Sequence, residues 1–497
     1  MDTWLLHRMR ELRDLQGVIG LATWDQETYL PAKAGPARAS QLSTLRGLYH
    51  ERLVDPRLGD ALAQAATQAD LSADSRAMVR VLTRERDRQV RVPGALVKAL
   101  AEAQGKSLHA WREARIQKRF SLFQPHLARV LEIRREQADA YGHDGERYDA
   151  LLEGYEPGMR VARLTPVLTA LREKLIPMVA TLASAQRARP ALFDGRRYPQ
   201  DAQWAFTMRL LKDVGFDLEA GRQDLSIHPF TGGTHALDVR LTTHVDEANP
   251  LPALFSTIHE AGHGLYEQGF SPEHHGTPLA VAPSMGLHES QSRLWENLVG
   301  RSRPFWEHYY PHLRAAFPEA LAGVDVDTFH GVINHVAPSL IRIDADEVTY
   351  NLHIALRYEL ELLLIRDALP LDDLPAAWNE RMRHYLGITP PDDTRGVLQD
   401  IHWAWGEFGY FPTYTLGNLY AASLHRAARR AIPDLEGHLS RGELLPLRDW
   451  LRTHVHAHGF RTPAEERVRD ITGQGLTDAD FLAYLRDKYG ALSGVAL

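Results

Sequence analysis

The sequence predicts a mainly α-helical protein with a small β region near its middle. Apolar residues recur every three or four positions up to about residue 215 and again beyond about residue 416, which is the spacing of amphipathic helices. Between these parts, the segment 237–245 alternates apolar and polar side chains with the period of a half-buried strand. Because there is no fixed-period repeat and no long glycine- and serine-rich linker, we expect residues 1–497 to form a single domain.

Composition places the chain among soluble globular proteins, with 44% hydrophobic and 24% charged residues. The formal net charge of −7 argues against a nucleic-acid partner. The absence of cysteine excludes disulfides and thiolate ligands, so any metal must be held by histidine and carboxylate. The N-terminus lacks the apolar core of a signal peptide, and no apolar run is long enough to span a bilayer, so we expect a cytoplasmic protein without membrane contact.

The helices outside the central region are predicted from apolar stripes that end at turn residues. The first stripe comprises Trp4, Leu5, Met9, Leu12 and Leu15, and further helices are predicted at Ser40–Arg52, Arg57–Ala69, Ser75–Arg91, Pro93–Lys118, Pro125–Tyr141, Thr165–Arg187, Leu416–Ala431, Leu445–Ala457 and Asp478–Tyr489. The segment Trp24–Pro31 is expected to interrupt the first helices as a buried turn. The charged run Arg84–Arg88 could be a basic patch, but a solvated helix face is favoured.

The most informative stretch is a predicted helix that has Pro252 in its first turn, where a missing N–H costs nothing. His259 and His263 are four residues apart, so both imidazoles leave one face and can hold one metal ion at about 2.0–2.1 Å each. Glu260 follows the first histidine and is suited to act as a general base. The alternative is a solvated helix face that carries two histidines. The apolar stripe that would dock this helix is Leu254, Ile258, Ala261 and Leu265.

A catalytic zinc site keeps three protein ligands, so a third ligand is needed. Glu267 continues the register of the helix but lies about 12 Å from His259 along its axis, which is too far. The next predicted helix is opened by His288 and offers two carboxylates, Glu289 and Glu296. Because they are seven residues apart, they share a face and both are possible, with Glu289 favoured by its denser polar neighbourhood.

Two segments carry candidate residues for a substrate cleft. The polar face of the strand at 237–245 could form the floor or edge of a cleft and pair with an extended peptide, or it could simply face water. A long helix is predicted to begin at Ile341. Within it, Arg342 and Asp346 are four apart, which is usually helix support, although an arginine that faces a cleft could clamp a substrate carboxylate.

Further along the chain, His402, Tyr410 and Tyr414 occur within a short aromatic stretch. An imidazole or a tyrosine hydroxyl is a suitable donor to the oxyanion of a tetrahedral intermediate. A lone histidine or tyrosine is more often structural, so these roles depend on what lies around them.

Taken together, these residues resemble the carboxypeptidase Taq family of metallocarboxypeptidases over essentially the whole chain. The six short motifs of that family have ordered matches at His228-Pro229-Phe230, Asp238–Thr242, His259–His263, His288–Gln291, Ile341–Asp346 and Gly396–Trp403. The segment Trp24–Pro31 is also similar to the N-terminal region of the family.

The resemblance implies a metal site of His259, His263 and Glu289, with Glu260 as the catalytic carboxylate. It also implies a mainly α-helical, saddle-like fold with a deep cleft, a small sheet beside the metal helix, and a homodimer. Residues 1–215 would then form a helical cleft wall, residues 216–415 would hold the strands, the metal site and the cleft, and residues 416–497 would add C-terminal helices.

The activity implied is a zinc-dependent carboxypeptidase, with Co²⁺ as a possible substitute, that releases single amino acids from peptides with a free C-terminus. His402 with Tyr410 or Tyr414 would stabilise the oxyanion, and Arg342 or Arg240 would bind the terminal carboxylate. The substrate-binding residues would be His228, Asp238, Arg240, Thr242, Arg342 and Gln399. The alternatives are an endo-oligopeptidase or dipeptidyl carboxypeptidase on a similar helical fold, and a helical binding protein with a non-productive metal site.

Overall fold

The computed structural model describes residues 1–185 and 192–497, and it is mainly helical, as the sequence predicts. None of the described helices is both long and apolar enough to cross a membrane. The helices are α1 Thr3–Thr28, α2 Gly35–Val54, α3 Pro56–Ala66, α4 Ala73–Arg91, α5 Gly94–Gln117, α6 Gln124–Tyr141, α7 Arg147–Leu152, α8 Val161–Ala185, α9 Gln200–Asp213, α10 Leu251–Glu267, α11 Met285–Arg293, α12 Arg303–Ala316, α13 Val326–Ile333, α14 Tyr350–Ile365, α15 Leu374–Leu386, α16 Pro412–Ala431, α17 Leu435–Ser440, α18 Leu445–His454, α19 Ala464–Thr472 and α20 Ala479–Ser493.

Most predicted helices are confirmed within a few residues of their expected ends. One expectation about the first helices is only partly met. The interruption expected at Trp24–Pro31 begins later, because α1 continues to Thr28 with the Trp24 side chain buried, and Tyr29–Pro31 then lie between α1 and α2. The predicted end of one helix at Arg187 lies outside the described residues.

The three strands form one sheet with the order β1-β3-β2, where β1 is Gly221–Leu225, β2 is Thr231–His235 and β3 is Asp238–Thr243. The predicted strand is therefore the central one, parallel to β1 and antiparallel to β2. Both of its sides pair with neighbours, so it has no free edge with which it could pair an extended peptide. Its apolar residues Val239 and Leu241 are fully buried, as the alternation predicts.

A large apolar core joins the helices from α5 to α20 with the sheet, whereas α1 to α4 enclose a smaller apolar cluster of their own. The helix α10 lies at the centre of the larger core, where it packs against β3, α9 and α11. The helix α11 packs in turn against α16. These contacts bring segments that are distant in the sequence to the two histidines of α10.

The segment after Ile341 differs from its prediction. It forms a single 3-10 turn, Arg342–Asp344, and α14 begins only at Tyr350. Asp346 lies just before α14, where its Oδ1 accepts hydrogen bonds from the amides of Val348 and Thr349 at 2.9 and 3.0 Å. It therefore caps the following helix and does not pair with Arg342.

Candidate metal centre and active site

The helix α10 presents His259 and His263 on one face, with ring centroids 5.0 Å apart. Pro252 lies at its N-terminal end, where it accommodates the helix start. The predicted apolar stripe of this helix is buried, with each of its side chains at most 2% exposed. Because the opposite face is anchored in the core, the two imidazoles are held at a fixed separation.

The third ligand is Glu289 of α11. Its Oε2 lies 3.3 Å from Nε2 of His263 and 3.6 Å from Nε2 of His259. One potential ligand atom from each of the three residues lies within 4.8 Å of the others, and no other histidine or acidic residues in the described part of the chain form such a group with them. Glu296, the other carboxylate that the spacing allowed, instead accepts a hydrogen bond from Nδ1 of His259 at 2.8 Å.

Two glycines allow α10 and α16 to lie close to α11, the helix that carries Glu289. A Cβ atom on Gly262 would lie 2.5 Å from the backbone oxygen of Gln291 in α11, and a Cβ atom on Gly417 of α16 would lie 2.5 Å from Cγ of Glu289. Neither distance is compatible with a side chain. Gly262 therefore lets α11 lie close to the helix of the two histidines, and Gly417 leaves room for the Glu289 side chain.

The residues at this site fit a divalent metal ion. Two imidazole nitrogens and one carboxylate oxygen are the donor set of a catalytic zinc site that keeps one open position. Three buried carboxylates, Glu260, Glu289 and Glu296, lie at this site, and two guanidiniums pair with them, those of Arg293 and Arg301. Because the carboxylates outnumber the guanidiniums, a bound cation would reduce the excess negative charge of this buried cluster.

Burial also shapes the protonation of the site. It lowers the pKa of His263 to about 3, with the neighbouring His288 contributing in the same direction, so the ring is neutral and can donate a lone pair. Burial raises the pKa of Glu260, which makes it a stronger base than an exposed carboxylate. The hydroxyl of Thr231 donates to Oε2 of Glu260 at 2.6 Å.

The metal centre opens into a cavity of about 900 Å³. Among the predicted site residues outside the metal centre, Arg342, Tyr410 and Tyr414 line this cavity. The other side chains that line it near the metal centre include Pro229, Phe230, Thr231, Phe255, Ser256 and Tyr350.

Arg342 is buried in a network that fixes its orientation. Its Nε and Nη2 donate to Asp400 at 3.0 and 2.8 Å, and its Nη1 donates to the hydroxyl of Tyr350 at 3.0 Å. A guanidinium has five N–H groups, so within the described residues one N–H on each terminal nitrogen has no hydrogen-bond partner. Gln399 accepts from the backbone amide of Arg342 at 3.0 Å and from Arg357 at 2.7 Å, so it supports the arginine.

His402 lies beside the tyrosines of the cavity. Its ring centroid is 5.4 Å from that of Tyr410, 6.4 Å from that of Tyr414 and 4.6 Å from that of Phe411. Burial lowers the pKa of His402 to about 4, so its ring is neutral near neutral pH. Tyr410 and Tyr414 are in contact with each other, with ring centroids 5.3 Å apart.

The motif residues of the sheet are not brought to the cavity. Asp238 pairs with Arg240 at 2.9 Å, and the guanidinium of Arg240 lies 4.4 Å from the ring centroid of Trp24 in α1. Thr242 is buried and accepts from the amide of Phe230 at 2.9 Å. His228 is exposed, although the two residues after it line the cavity. The predicted substrate contacts of these residues stay predictions.

Sequence reasoning missed three side chains that bear on the site. Thr231 comes directly after the His228-Pro229-Phe230 motif, a position that could have drawn attention to it. Arg293 lies four residues after Glu289, which is the spacing of an ion pair within a helix. Glu156 is buried and accepts a hydrogen bond from the amide of Gly286 at the start of α11, but no local pattern marks it.

Comparisons with known proteins agree with this site. Residues 4–489 match the family described as Carboxypeptidase Taq (M32) metallopeptidase. The chain is 44% identical to thermostable carboxypeptidase 1 of Thermus thermophilus, covering 99% of this chain and 98% of that protein. It is 35% identical to carboxypeptidase 1 of Bacillus subtilis, with 97% of both chains covered.

A solved structure supports the same conclusion. The M32 carboxypeptidase from Deinococcus radiodurans R1 is 42% identical and superimposes with a TM-score of 0.97, covering 99% of each chain. The six ordered motifs, the cluster of His259, His263 and Glu289, and these relatives along the full length all agree. The chain belongs to the carboxypeptidase Taq (M32) family of metallopeptidases, and it is a metallocarboxypeptidase with a His-His-Glu metal site.

Proposed function

We propose that this enzyme uses Zn²⁺ to release single C-terminal amino acids, with broad specificity, from peptides that have a free C-terminus. One observation carries the proposal. The group formed by His259, His263 and Glu289 opens into the same cavity as Glu260, and a buried arginine, Arg342, lines that cavity. A metal centre, a base and a cation for the terminal carboxylate therefore share one space.

His259, His263 and Glu289 would hold the ion, which supplies Lewis acidity that activates water and polarises the scissile carbonyl. Glu260 takes a proton from the attacking water as the new carbon–oxygen bond forms. When the carbon–nitrogen bond breaks, Glu260 returns that proton to the leaving amine. The raised pKa of Glu260 supports both steps, since it holds the proton more readily than an exposed glutamate does.

Tyr410 is the donor that we propose for the oxyanion, with Tyr414 and His402 in support. Burial raises the pKa of Tyr410 and keeps its hydroxyl protonated, while a hydrogen bond with Tyr414 opposes that rise. An arrangement in which Tyr414 donates to the oxygen of Tyr410 leaves the Tyr410 O–H free for substrate. His402 packs against the Tyr410 ring and would limit its movement.

Arg342 is the better of the two arginines proposed for the substrate carboxylate. It lines the cavity and keeps two unused N–H groups, whereas Arg240 is paired with Asp238 and stacked on Trp24. Two N–H groups on adjacent terminal nitrogens suit a carboxylate. We also propose that the whole chain acts as one peptidase domain and, from the resemblance, that it is a homodimer. Sedimentation of the purified protein tests the dimer.

Mass spectrometry of one defined peptide, with free and amidated C-termini in parallel, tests the proposed activity. Loss of one residue at a time from the free form only is expected. Internal cuts or release of dipeptides from both forms would contradict the proposal. The identity of the ion is tested by removing metal with a chelator and adding back Zn²⁺ or Co²⁺. An enzyme that recovers activity with neither ion would contradict the proposed use of Zn²⁺.

A further inference from the structure

The helix that carries Glu289 does not end where its α-helical hydrogen bonding ends. It continues as a π-helical segment, Leu294–Val299, and Glu296 lies within it. Single π-helical turns are rare and occur frequently at functional sites, because the extra residue in the turn redirects side chains. Here the segment lies against α10, with Glu296 buried beside the metal centre.

Glu296 contacts the ligand His259 directly. Its Oε2 lies 2.8 Å from Nδ1 of His259, while Nε2 of the same ring lies 3.6 Å from Oε2 of Glu289. A carboxylate oxygen that already accepts from Arg293 accepts here as well, so Nδ1 is the donor and Nε2 is the nitrogen available to a metal ion. The contact thus selects the tautomer and the ring orientation that a metal ligand needs.

Two arginines hold Glu296 in place. Arg293 donates to Oε1 of Glu289 at 2.7 Å and to Oε2 of Glu296 at 3.0 Å, so one guanidinium bridges the ligand and the second carboxylate. Arg301 donates to Oε1 of Glu296 at 3.3 Å, and its guanidinium lies 3.7 Å from the ring centroid of Phe255 in α10. These contacts hold the Glu296 carboxylate in one orientation, which a group that positions a histidine requires.

The second histidine is oriented differently. Nδ1 of His263 has no hydrogen-bond partner within the described residues. Its ring instead stacks on His288, with centroids 4.5 Å apart and planes 21° apart. His288 is bonded to Glu267 at 2.8 Å. His259 is therefore the histidine ligand that a carboxylate orients. Glu267 makes a similar hydrogen bond to His288, which is not a metal ligand.

We infer that Glu296 is a positioning residue that raises the affinity of the site for its metal ion by fixing His259, without being a ligand itself. The inference depends on the His-His-Glu metal site and is independent of the roles proposed for Tyr410 and Arg342. Carboxylates that orient ligating histidines typically contribute about 10- to 100-fold to metal affinity.

The test compares Glu296→Gln with Glu267→Gln. Metal is removed from each purified protein, and the Kd for Zn²⁺ is measured by competition with a chromophoric chelator. We expect Glu296→Gln to bind Zn²⁺ about 10- to 100-fold more weakly than wild type and Glu267→Gln to bind it as wild type does. The visible absorption of the Co²⁺-substituted proteins should change only in Glu296→Gln, because the geometry at His259 changes.

A second variant covers the case in which Glu296→Gln does not fold. Glu296→Asp keeps the charge beside Arg293 but shortens the reach towards His259 by one methylene, so it should also lose affinity for Zn²⁺. Wild-type affinity in either folded Glu296 variant, or an equal loss in Glu267→Gln, would overturn the inference. Failure of the wild-type chain to bind Zn²⁺ would instead contradict the proposed metal, so the two failures are distinguishable.

Discussion

The hydroxyl of Thr231 donates a 2.6 Å hydrogen bond to Oε2 of Glu260, and this bond joins the edge strand β2 to the helix α10. The same hydroxyl oxygen lies 3.1 Å from the backbone oxygen of Glu260. A buried carboxylate with one fixed donor has a defined orientation. The sheet therefore positions the proposed base, although its central strand contributes no residue to the cavity lining.

Thr231→Val should lower kcat by about tenfold while KM changes little, because a hydrogen bond to a charged group contributes about 1.5–3 kcal/mol and part of it is recovered from water. Valine has the same shape as threonine, so packing is preserved. Steady-state kinetics on a short peptide measure the effect. Thr231→Ser keeps the hydroxyl and is the matched control. Equal kcat values for the valine variant and wild type would show that the bond does not orient Glu260.

Glu260→Gln should lower turnover by about 10²- to 10⁴-fold, which is the usual contribution of a general base. The change leaves His259, His263 and Glu289 untouched, so the bound metal measured by elemental analysis should equal that of wild type. Hydrolysis close to the wild-type rate would mean that another group takes the proton. Loss of metal would instead mean that the residue supports the ion.

Tyr410→Phe should lower kcat by about 10²- to 10³-fold and leave KM almost unchanged, as expected when one donor to an oxyanion is removed. Tyr155→Phe is the control, because the Tyr155 ring packs edge-on against Tyr410 with centroids 5.2 Å apart. If kcat falls as much in the control as in Tyr410→Phe, both losses result from altered packing and not from a lost donor to the oxyanion. Separate values of kcat and KM distinguish a transition-state contact from substrate binding.

The stability of the protein should depend on pH through Glu156, whose side chain contacts the N-terminal end of α11 at Gly286. Burial raises the pKa of this carboxyl to about 8 in the folded protein, against about 4.5 when it is exposed. Between these values the folded state holds a proton that the unfolded state has released. The free energy of unfolding therefore falls by about 1.4 kcal/mol for each pH unit as pH rises through this window.

Glu156→Gln removes this pH dependence, while its amide oxygen can still accept from Gly286. Chemical denaturation of both proteins at about pH 5.5 and about pH 8.5 measures the difference, which should grow in favour of the variant at the higher pH. A difference that stays constant across the range would mean that the carboxyl is already ionised in the folded protein near pH 5.5.

The metal helix could be predicted closely because its signals are local. Pro252 marks its start, and the spacing of His259 and His263 places both on one face. The choice between Glu289 and Glu296 could not be made from spacing alone, since seven residues return to the same face of an α-helix. The π-helical segment that directs Glu296 to His259 leaves no recognisable pattern in the sequence.

Arg342 shows why tertiary partners limit such predictions. Its spacing from Asp346 predicts a helical ion pair, yet Asp346 caps α14 and Arg342 pairs with Asp400, 58 residues away. The strand at 238–243 is recognisable from the alternation of its side chains. Its central place in the sheet depends on β1, Gly221–Leu225, whose polar composition gives no strand signal of its own.

Gly262 stands between the base and the second histidine, and it has no side chain with which to take part in chemistry. A methyl group there would collide with the backbone of α11. This glycine therefore allows α10 and α11 to lie close enough for Glu289 to reach the two histidines. A peptide copied from α10 onto another scaffold would bring both histidines with it but would lack the neighbour that supplies the glutamate. Binding of the ion therefore requires α10 and α11 to be packed together, and the ion should dissociate when the two helices separate.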